Sequence, residues 1–388
     1  MDQNNLIDLP SWNRAVIKVG SAIIAPDNQS CGTKYLLHIA NFVNQCRRKG
    51  KEIIIVSSGA VAAGQALQTK YPVNAPKSIP VKQALAAIGQ PGMFSQWKKL
   101  FDFPCAQLLI TLEDLLNRER YVNVKNTLNE VLRMEALPIV NENDTVGVHE
   151  LKVGDNDNLS AHVADLVDAD LLLISTDTDG LYTDDPAENE EAEMIPEVKK
   201  IDKEIYNMAG SSSNPVAKGG MKTKIEAAEK AVQRGINTII LNGQKYKTFE
   251  NMLNGKVAGT LFHKEKDPRT AKKNWMLHAL RSEGEVIIDK GAANALIEKS
   301  ASLLPAGVKE VKGEFNKGSA VKIYKLENGK KQLIGKGTTQ YDSEGMRKIK
   351  GKQSFEIKET LGYITSDAIV QRDDMVVLEN ITHKEDIK

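Results

Sequence analysis

Residues 140–160, VNENDTVGVHELKVGDNDNLS, place Asn141, Glu142, Asn143, Asp144, Glu150, Asp155, Asn156, Asp157 and Asn158 between two apolar runs, EALPIV and ADLLLIST. Carboxylates and amides at this density suit either a solvated loop or a site for an ammonium group, a metal ion or both. Lys18 stands inside the apolar run RAVIKVG (14–20), where an ammonium is costly unless paired or used. Taken alone it reads equally as a strand-end lysine reaching solvent. SSGAVAAG (57–64) follows another apolar run and opens a helix of small residues. Ser58 and Gly59 there offer donors to an anion, or ordinary capping. In STDTDGLYTDDP (175–186), Thr176 and Asp177 can meet a ligand, while Asp179-Gly180 and Asp185-Pro186 can be turns alone. KGGMKTKIEAAEKA (218–231) sets Gly219 and Gly220 ahead of a helix, with Lys222 and Lys224 expected in its first turn. Cations there oppose the helix dipole, a cost that a bound anion such as a phosphate would offset.

The elements that must carry these groups alternate. Apolar, β-branched runs at 14–20, 51–59, 105–111, 136–144, 169–177 and 237–243 read as buried strands, and 33–49, 81–100, 113–134, 156–168 and 221–235 have helical periodicity. The pattern predicts an α/β fold with an open, mostly parallel sheet sandwiched by helices. Ligands of such sheets bind at the carboxyl ends of the strands, which is where the polar clusters fall. Residues 264–283 read as a charged linker. Beyond them, short strands broken by Gly and Asn, with ENGK as a hairpin turn, predict a small, mostly β domain. The expected division is therefore 1–263, 264–283 and 284–380.

Other classes of function find no support. The chain has 388 residues and a net charge of +1, so no global charge points to nucleic acid or membrane. Residues 264–388 are mildly basic, with 24 Lys+Arg against 19 Asp+Glu. Cys31, Cys46 and Cys105 form no CxxC pair, and no apolar run reaches membrane-spanning length. The N-terminal stretch lacks the pattern of a secretory signal, so the cytoplasm is the expected compartment. Neither GxxxxGK[ST] nor a strand-following GxGxxG occurs. DNDNLSAHVADL fails as a calcium loop, because Leu159, Ser160 and Leu166 stand where an oxygen ligand, Gly and Glu belong. His149 and His162 lie in no zinc pattern.

Each cluster is weak alone, but together they are specific. From about Arg14 to Glu379 the chain resembles the amino-acid kinase family, in the form that carries a C-terminal PUA-like domain. The resemblance rests on VIKVGSAII, IVSSGAVAAG, AAIGQ, NRERYVN, PIVNENDTV, KVGDNDNLSA, STDTDGLYTDDP and GGMKTKIEAA, then RSEGEVIIDKGAANAL. Kinases of carbamate, aspartate, acetylglutamate and UMP share the sheet. The pairing of NEND with KVGDNDNLSA ahead of a PUA-like tail implies transfer of the ATP γ-phosphoryl group to the side-chain carboxylate of L-glutamate, the first step toward L-proline. The alternatives are another small carboxylate or amino acid as acceptor, or an RNA-binding role for the PUA-like domain. The resemblance implies that Lys18 and Lys224 neutralise the phosphoryl group, Asp157 orients them, and Gly20, Ser58 and Gly59 donate to it. It further implies that Ser58, Asp144 and Asn156 hold the acceptor, while Lys18, Thr176, Asp177 and the segment Lys218, Gly219, Gly220, Met221, Lys222, Thr223 and Lys224 meet ATP. Mg²⁺ would accompany ATP, with no protein ligand assigned. L-proline as feedback inhibitor and a homo-oligomer are further implications. KVGSA departs from the usual KLGTS, and Lys218 and Lys222 stand in a segment usually written TGGMSTK.

Overall fold

The computed structural model describes residues 6–26, 32–68, 78–147, 155–209, 215–265, 282–327 and 330–378. These form two compact units: one comprises residues 1–115 with 125–268, the other 116–124 with 269–388. The expected linker at 264–283 falls mostly outside the described residues, as does the loop 148–154.

Residues 1–268 run β1 (Ile7–Asp8), β2 (Arg14–Val19), α1 (Ser21–Ile24), α2 (Leu36–Arg48), β3 (Glu52–Ser57), α3 (Ala60–Leu67), α4 (Ile79–Lys98), β4 (Cys105–Ile110), α5 (Leu112–Leu116), α6 (Arg118–Arg133), β5 (Leu137–Glu142), α7 (Asp155–Leu166), β6 (Leu171–Thr176), β7 (Glu197–Val198), α8 (Lys203–Met208), α9 (Pro215–Gln233), β8 (Asn237–Asn242), α10 (Tyr246–Leu253), β9 (Lys256–Val257) and β10 (Thr260–Phe262), all in the first unit except residues 116–124 of α5 and α6. Eight strands form one sheet in the order β4-β5-β3-β2-β6-β8-β10-β7. From β4 to β8 neighbours are parallel, and β10 joins β8 antiparallel. The central strands are buried on both faces, which is why IIIV in β3 and LLLI in β6 are continuous apolar runs rather than alternating ones. Trp12, Ile17, Phe42, Trp97 and Phe249 belong to the core on one side of the sheet.

The register fixes the site. Lys18 pairs with Val56 of β3 and Ile174 of β6, and Val19 with Ser57 and Ser175. The chain ends of three central strands are thus level. Beyond them, the N–H of Ser58 donates to Val19 O at 3.0 Å and that of Gly20 to Ser175 O at 3.1 Å. Gly59 caps α3 in the left-handed region at φ +100°, and a Cβ there would lie 2.7 Å from Ile24 Cγ2. Helices α3 and α4 touch backbone to backbone: a Cβ on Gly64 would lie 1.8 Å from Leu85 O, and one on Gly89 2.0 Å from Ala60 O.

Two expectations need correction. The helix expected over 221–235 begins at Pro215, so Gly219 and Gly220 lie inside α9 rather than ahead of it. Lys222 and Lys224 are therefore beyond its first turn, and the dipole argument for an anion there fails. Each internal glycine costs about 1 kcal/mol relative to Ala, which masked the helix in the sequence. The segment 113–134 divides into α5 and α6.

The second unit holds β11 (Ser282–Ile288), β12 (Val308–Lys312), β13 (Ala320–Glu327), β14 (Lys330–Thr338) and β15 (Met375–Val377), in the order β12-β11-β13-β14-β15. β11 and β13 are parallel and the other pairs antiparallel. Pairing of Glu327 with Lys330 leaves Asn328-Gly329 as the hairpin connection, outside the described residues. Val286, Ile288, Val321, Ile323 and Tyr341 supply its separate core. Helices Lys290–Glu298 and Ser343–Ile349 start on Asp289 and Asp342, whose side chains accept from the N–H groups of Ala292 and Gly345.

Candidate active site

Two consecutive residues in the first turn of α7 face different partners. Asp157 is almost wholly buried, at 1% exposure. Its Oδ1 lies 2.5 Å from Lys18 Nζ, and its Oδ2 lies 3.3 Å from Lys224 Nζ. Thr223 Oγ1 donates to Oδ2 at 2.8 Å, with Gly220 O as a competing acceptor at 3.0 Å. Lys224 Nζ also donates to Gly220 O at 3.0 Å. The sheet supplies Lys18, α7 supplies Asp157 and α9 supplies Thr223 and Lys224. A carboxylate in the first turn of a helix is favoured by the dipole, so α7 supports Asp157 as well as aiming it.

The electrostatics follow from burial against charge. Burial alone pushes the Asp157 carboxyl up, but the charges of Lys18 and Lys224, with hydrogen bonds from Lys18 and Thr223, outweigh it and hold the group below the ordinary aspartate value. Burial is also the largest influence on Lys224. It draws that ammonium below its usual value with help from the charge of Lys18, against the pull of Asp157. Two ammonium groups around one carboxylate leave excess positive charge, which suits an incoming anion. Gly20 borders this cluster: a Cβ there would lie 3.2 Å from Ser175 O and 3.5 Å from Lys18 Nζ.

Asn156, one residue earlier, belongs to a neutral cluster. Its Nδ2 donates to Ser58 Oγ and to Asn141 Oδ1, both at 3.1 Å, and its Oδ1 accepts from the Glu142 N–H at 3.4 Å. Asn141 Nδ2 in turn donates to Gln90 Oε1 at 2.7 Å. Asp144 stands half-buried in the turn after β5. Neither Asn141 nor Gln90 figures among the site residues expected from sequence. Asn141 lies within NEND and Gln90 within AAIGQ, where a polar side chain in an otherwise apolar stretch was the available signal.

The third group gathers at the ends of β6 and β8. Thr176 is buried and its hydroxyl donates to Asp177 Oδ1 at 3.0 Å, while Asp177 itself is exposed. Asn242 Nδ2 donates to Asp177 O and to Asp179 Oδ1, both at 2.9 Å, and Lys245 pairs with Asp179 at 2.7 Å. Ser175 Oγ and Thr178 Oγ1 are buried without a hydrogen-bond partner among the described residues. Lys222 is exposed on α9, while Met221, Thr223 and Lys224 are partly buried. The surroundings of Lys218 and Gly219 lie outside the described residues. Also among the described residues, no three His, Cys, Asp or Glu side chains come together to hold a metal ion, and no helix is long and apolar enough to cross a membrane.

Residues 13–242 match the amino acid kinase family and residues 284–361 the PUA domain. A curated glutamate 5-kinase of Salinibacter ruber is 52% identical over 371 residues, covering 96% of this chain and 99% of its own length. One from Idiomarina loihiensis is 50% identical over 373 residues, covering 96% and 99%. One from Xanthomonas campestris pv. campestris is 44% identical over 363 residues, covering 94% and 100%.

Proposed function

The chain belongs to the amino acid kinase family, and we propose that it transfers the γ-phosphoryl group of ATP to the side-chain carboxylate of L-glutamate, giving L-glutamyl 5-phosphate, the first step of L-proline biosynthesis. The single observation that carries this reading is the split at α7, where Asp157 holds two lysines and Asn156 faces a neutral amide pocket next to them. Relatives at 44–52% identity, matched along nearly their whole length, carry the same activity in their names.

The chemistry needs no general base. A glutamate side chain has a pKa near 4.3, so the nucleophile is already ionised at pH 7. One carboxylate oxygen attacks the γ-phosphorus as the bond to the β,γ-bridging oxygen breaks, and ADP leaves with that electron pair. The difficulty is an anion approaching a polyanion, so catalysis is charge neutralisation and alignment. Lys18 and Lys224 supply the charge, Asp157 fixes both Nζ atoms, and Thr223 steadies Asp157. The absence of a side chain on Gly20 leaves room for phosphate oxygens beside Lys18.

Ser58, Asp144 and Asn156 hold the amino-acid end of the acceptor. Both Asn156 amide hydrogens are engaged, and its oxygen, which accepts one long contact from the Glu142 N–H at 3.4 Å, has a second lone pair to receive an ammonium. Thr176, Asp177 and the segment 218–224 meet the nucleotide, and the unpartnered hydroxyls of Ser175 and Thr178 fit a polar ligand there. A divalent cation, Mg²⁺ by the usual chemistry of ATP, would offset part of the negative charge that the acceptor carboxylate must approach. Asp157 is occupied by two lysines, so the phosphates rather than a protein cage would hold that ion. L-proline shares the α-ammonium and α-carboxylate of glutamate and would compete for the same pocket. Catalysis is assigned to residues 1–263, joined by a linker (264–283) to the PUA-like domain (284–380), and a homo-oligomer is the expected assembly. RNA binding by the basic second domain is a secondary reading, tested by salt-dependent retention of RNA.

The test is ADP release with L-glutamate, with hydroxylamine trapping the acyl phosphate as a hydroxamate. L-Aspartate, one methylene shorter, should leave its carboxylate short of the phosphorus. Comparable kcat/KM for the two, or ADP release without hydroxamate, would contradict the assignment.

A further inference from the structure

We propose that Gln90, on α4, is a positioning residue that sets which end of the Asn156 amide faces the substrate, and so gives the pocket its preference for an ammonium group. The inference rests on the acceptor pocket assigned above. Gln90 is buried at 9% exposure and Asn141 at 1%. Gln90 Oε1 accepts from Asn141 Nδ2 at 2.7 Å, the shortest link in the chain. With its nitrogen committed to Gln90, Asn141 turns its oxygen to Asn156 Nδ2 at 3.1 Å. The second hydrogen of Asn156 Nδ2 goes to Ser58 Oγ. A hydroxyl donates or accepts with equal ease, so Ser58 does not fix the sense of the relay. Only the Glu142 N–H, at the long distance of 3.4 Å, favours the same orientation from the other side. Without the acceptor on Gln90, Asn141 is free to reverse. Its amide nitrogen would then meet that of Asn156, which would have to turn and present hydrogens to an ammonium group.

The helix is held so that it can do this. Gly89 packs on the backbone of α3, directly after the Ser58-Gly59 turn. Gln83 Nε2 donates to Gly147 O at 3.3 Å, at the end of the turn that carries Asp144. Trp97 Nε1 donates to Ser57 Oγ at 2.9 Å, and Ser57 contacts Met93. Gln90, Met93 and Trp97 share one face of α4 (i, i+3, i+7), and that face meets the ends of β3 and β5.

The test compares steady-state kinetics of wild type, Gln90→Met and Gln90→Glu. Methionine keeps the length and loses the acceptor; glutamate keeps the acceptor. Gln90→Met should raise KM for L-glutamate about tenfold, the effect of a typical buried hydrogen bond to a charged-ligand site. Its kcat at saturation and its KM for ATP should stay within about twofold. Gln90→Glu should restore most of the affinity. An unchanged glutamate KM in Gln90→Met, or a Gln90→Glu as impaired as Gln90→Met, would overturn the proposal. If Gln90→Met does not fold, Gln90→Leu removes the same acceptor with a shorter apolar side chain. It should show the same rise in KM, and a normal KM there would overturn the proposal. A wild-type protein inactive on L-glutamate would count against the function itself, whereas an active wild type with an indifferent Gln90 would count only against the relay.

Discussion

The two halves of the site hang from adjacent residues of α7 and are built on opposite principles. Around Asp157 the groups are charged, buried and over-supplied with cations. Around Asn156 the linked groups are uncharged, amide to amide, and Asp144 is the one carboxylate assigned to the same acceptor end. On the roles proposed above, the charged half would meet phosphate oxygens whose charge shifts during transfer, a task for electrostatics, and the amide half would tell one small amino acid from another, a task for the orientation of donors and acceptors. Changes in the first half should therefore fall on turnover and acid stability, and changes in the second on substrate affinity.

The largest effect should come from Asp157→Asn. It leaves two ammonium groups facing each other without a counterion, and breaking a buried ion pair in this way typically costs about 3–5 kcal/mol. The sign with pH follows from the lowered Asp157 value. A carboxyl whose folded pKa lies below its unfolded value of 3.8 adds stability above that value and loses it as pH falls through the folded one. Thermal melts from pH 7 downward should show a gap between wild type and Asp157→Asn that is full at neutral pH and narrows below 3.8. A gap independent of pH would remove the carboxylate charge from the account.

Lys18→Met should come next, with kcat reduced about 10²–10³-fold, roughly 3–4 kcal/mol, and little change in KM for glutamate. Asp157 keeps Lys224, so the melt should move far less than in Asp157→Asn. A loss appearing in KM alone would assign Lys18 to the wrong half.

Gly89→Ala probes the packing behind the amide half. Its Cβ would lie 2.0 Å from Ala60 O and 2.2 Å from Gly64 N, both backbone atoms, so α3 and α4 must part. Overpacking of this kind costs about 1–3 kcal/mol. Because α3 follows Ser58 directly, KM for glutamate should rise with the fall in Tm, while ATP affinity holds. The smallest change is Thr223→Val, which removes one hydrogen bond to Asp157, about 1 kcal/mol. A fall in kcat of a few-fold is expected, with glutamate affinity intact.

Much of this was legible in the sequence. The apolar runs of β2, β3, β5, β6 and β8 fall where the strands form, because a strand buried on both faces has no polar alternation to misread. Lys18, Asp157 and Lys224, singled out through the family resemblance, lie together in the structure. What the sequence hid is physical in each case. The start of α9 was concealed by two glycines that are poor helix formers yet lie inside the helix. Gln90 and Asn141 lie in AAIGQ and NEND, but their hydrogen bond spans 51 positions, and no short motif reveals such a pairing. The short strands β7 and β10 are too brief for periodicity to reveal; pairing partners create them.

The division of labour between the halves is tested most directly by acyl-phosphate formation, trapped as hydroxamate, in Lys18→Met and Asn156→Ala as L-glutamate is raised to saturation at fixed ATP. Asn156→Ala should need far more glutamate but approach the wild-type rate at saturation. Lys18→Met should saturate at a near-normal glutamate concentration and remain slow throughout. Recovery of Lys18→Met at high glutamate, or an Asn156→Ala that saturates normally at a low rate, would contradict the account.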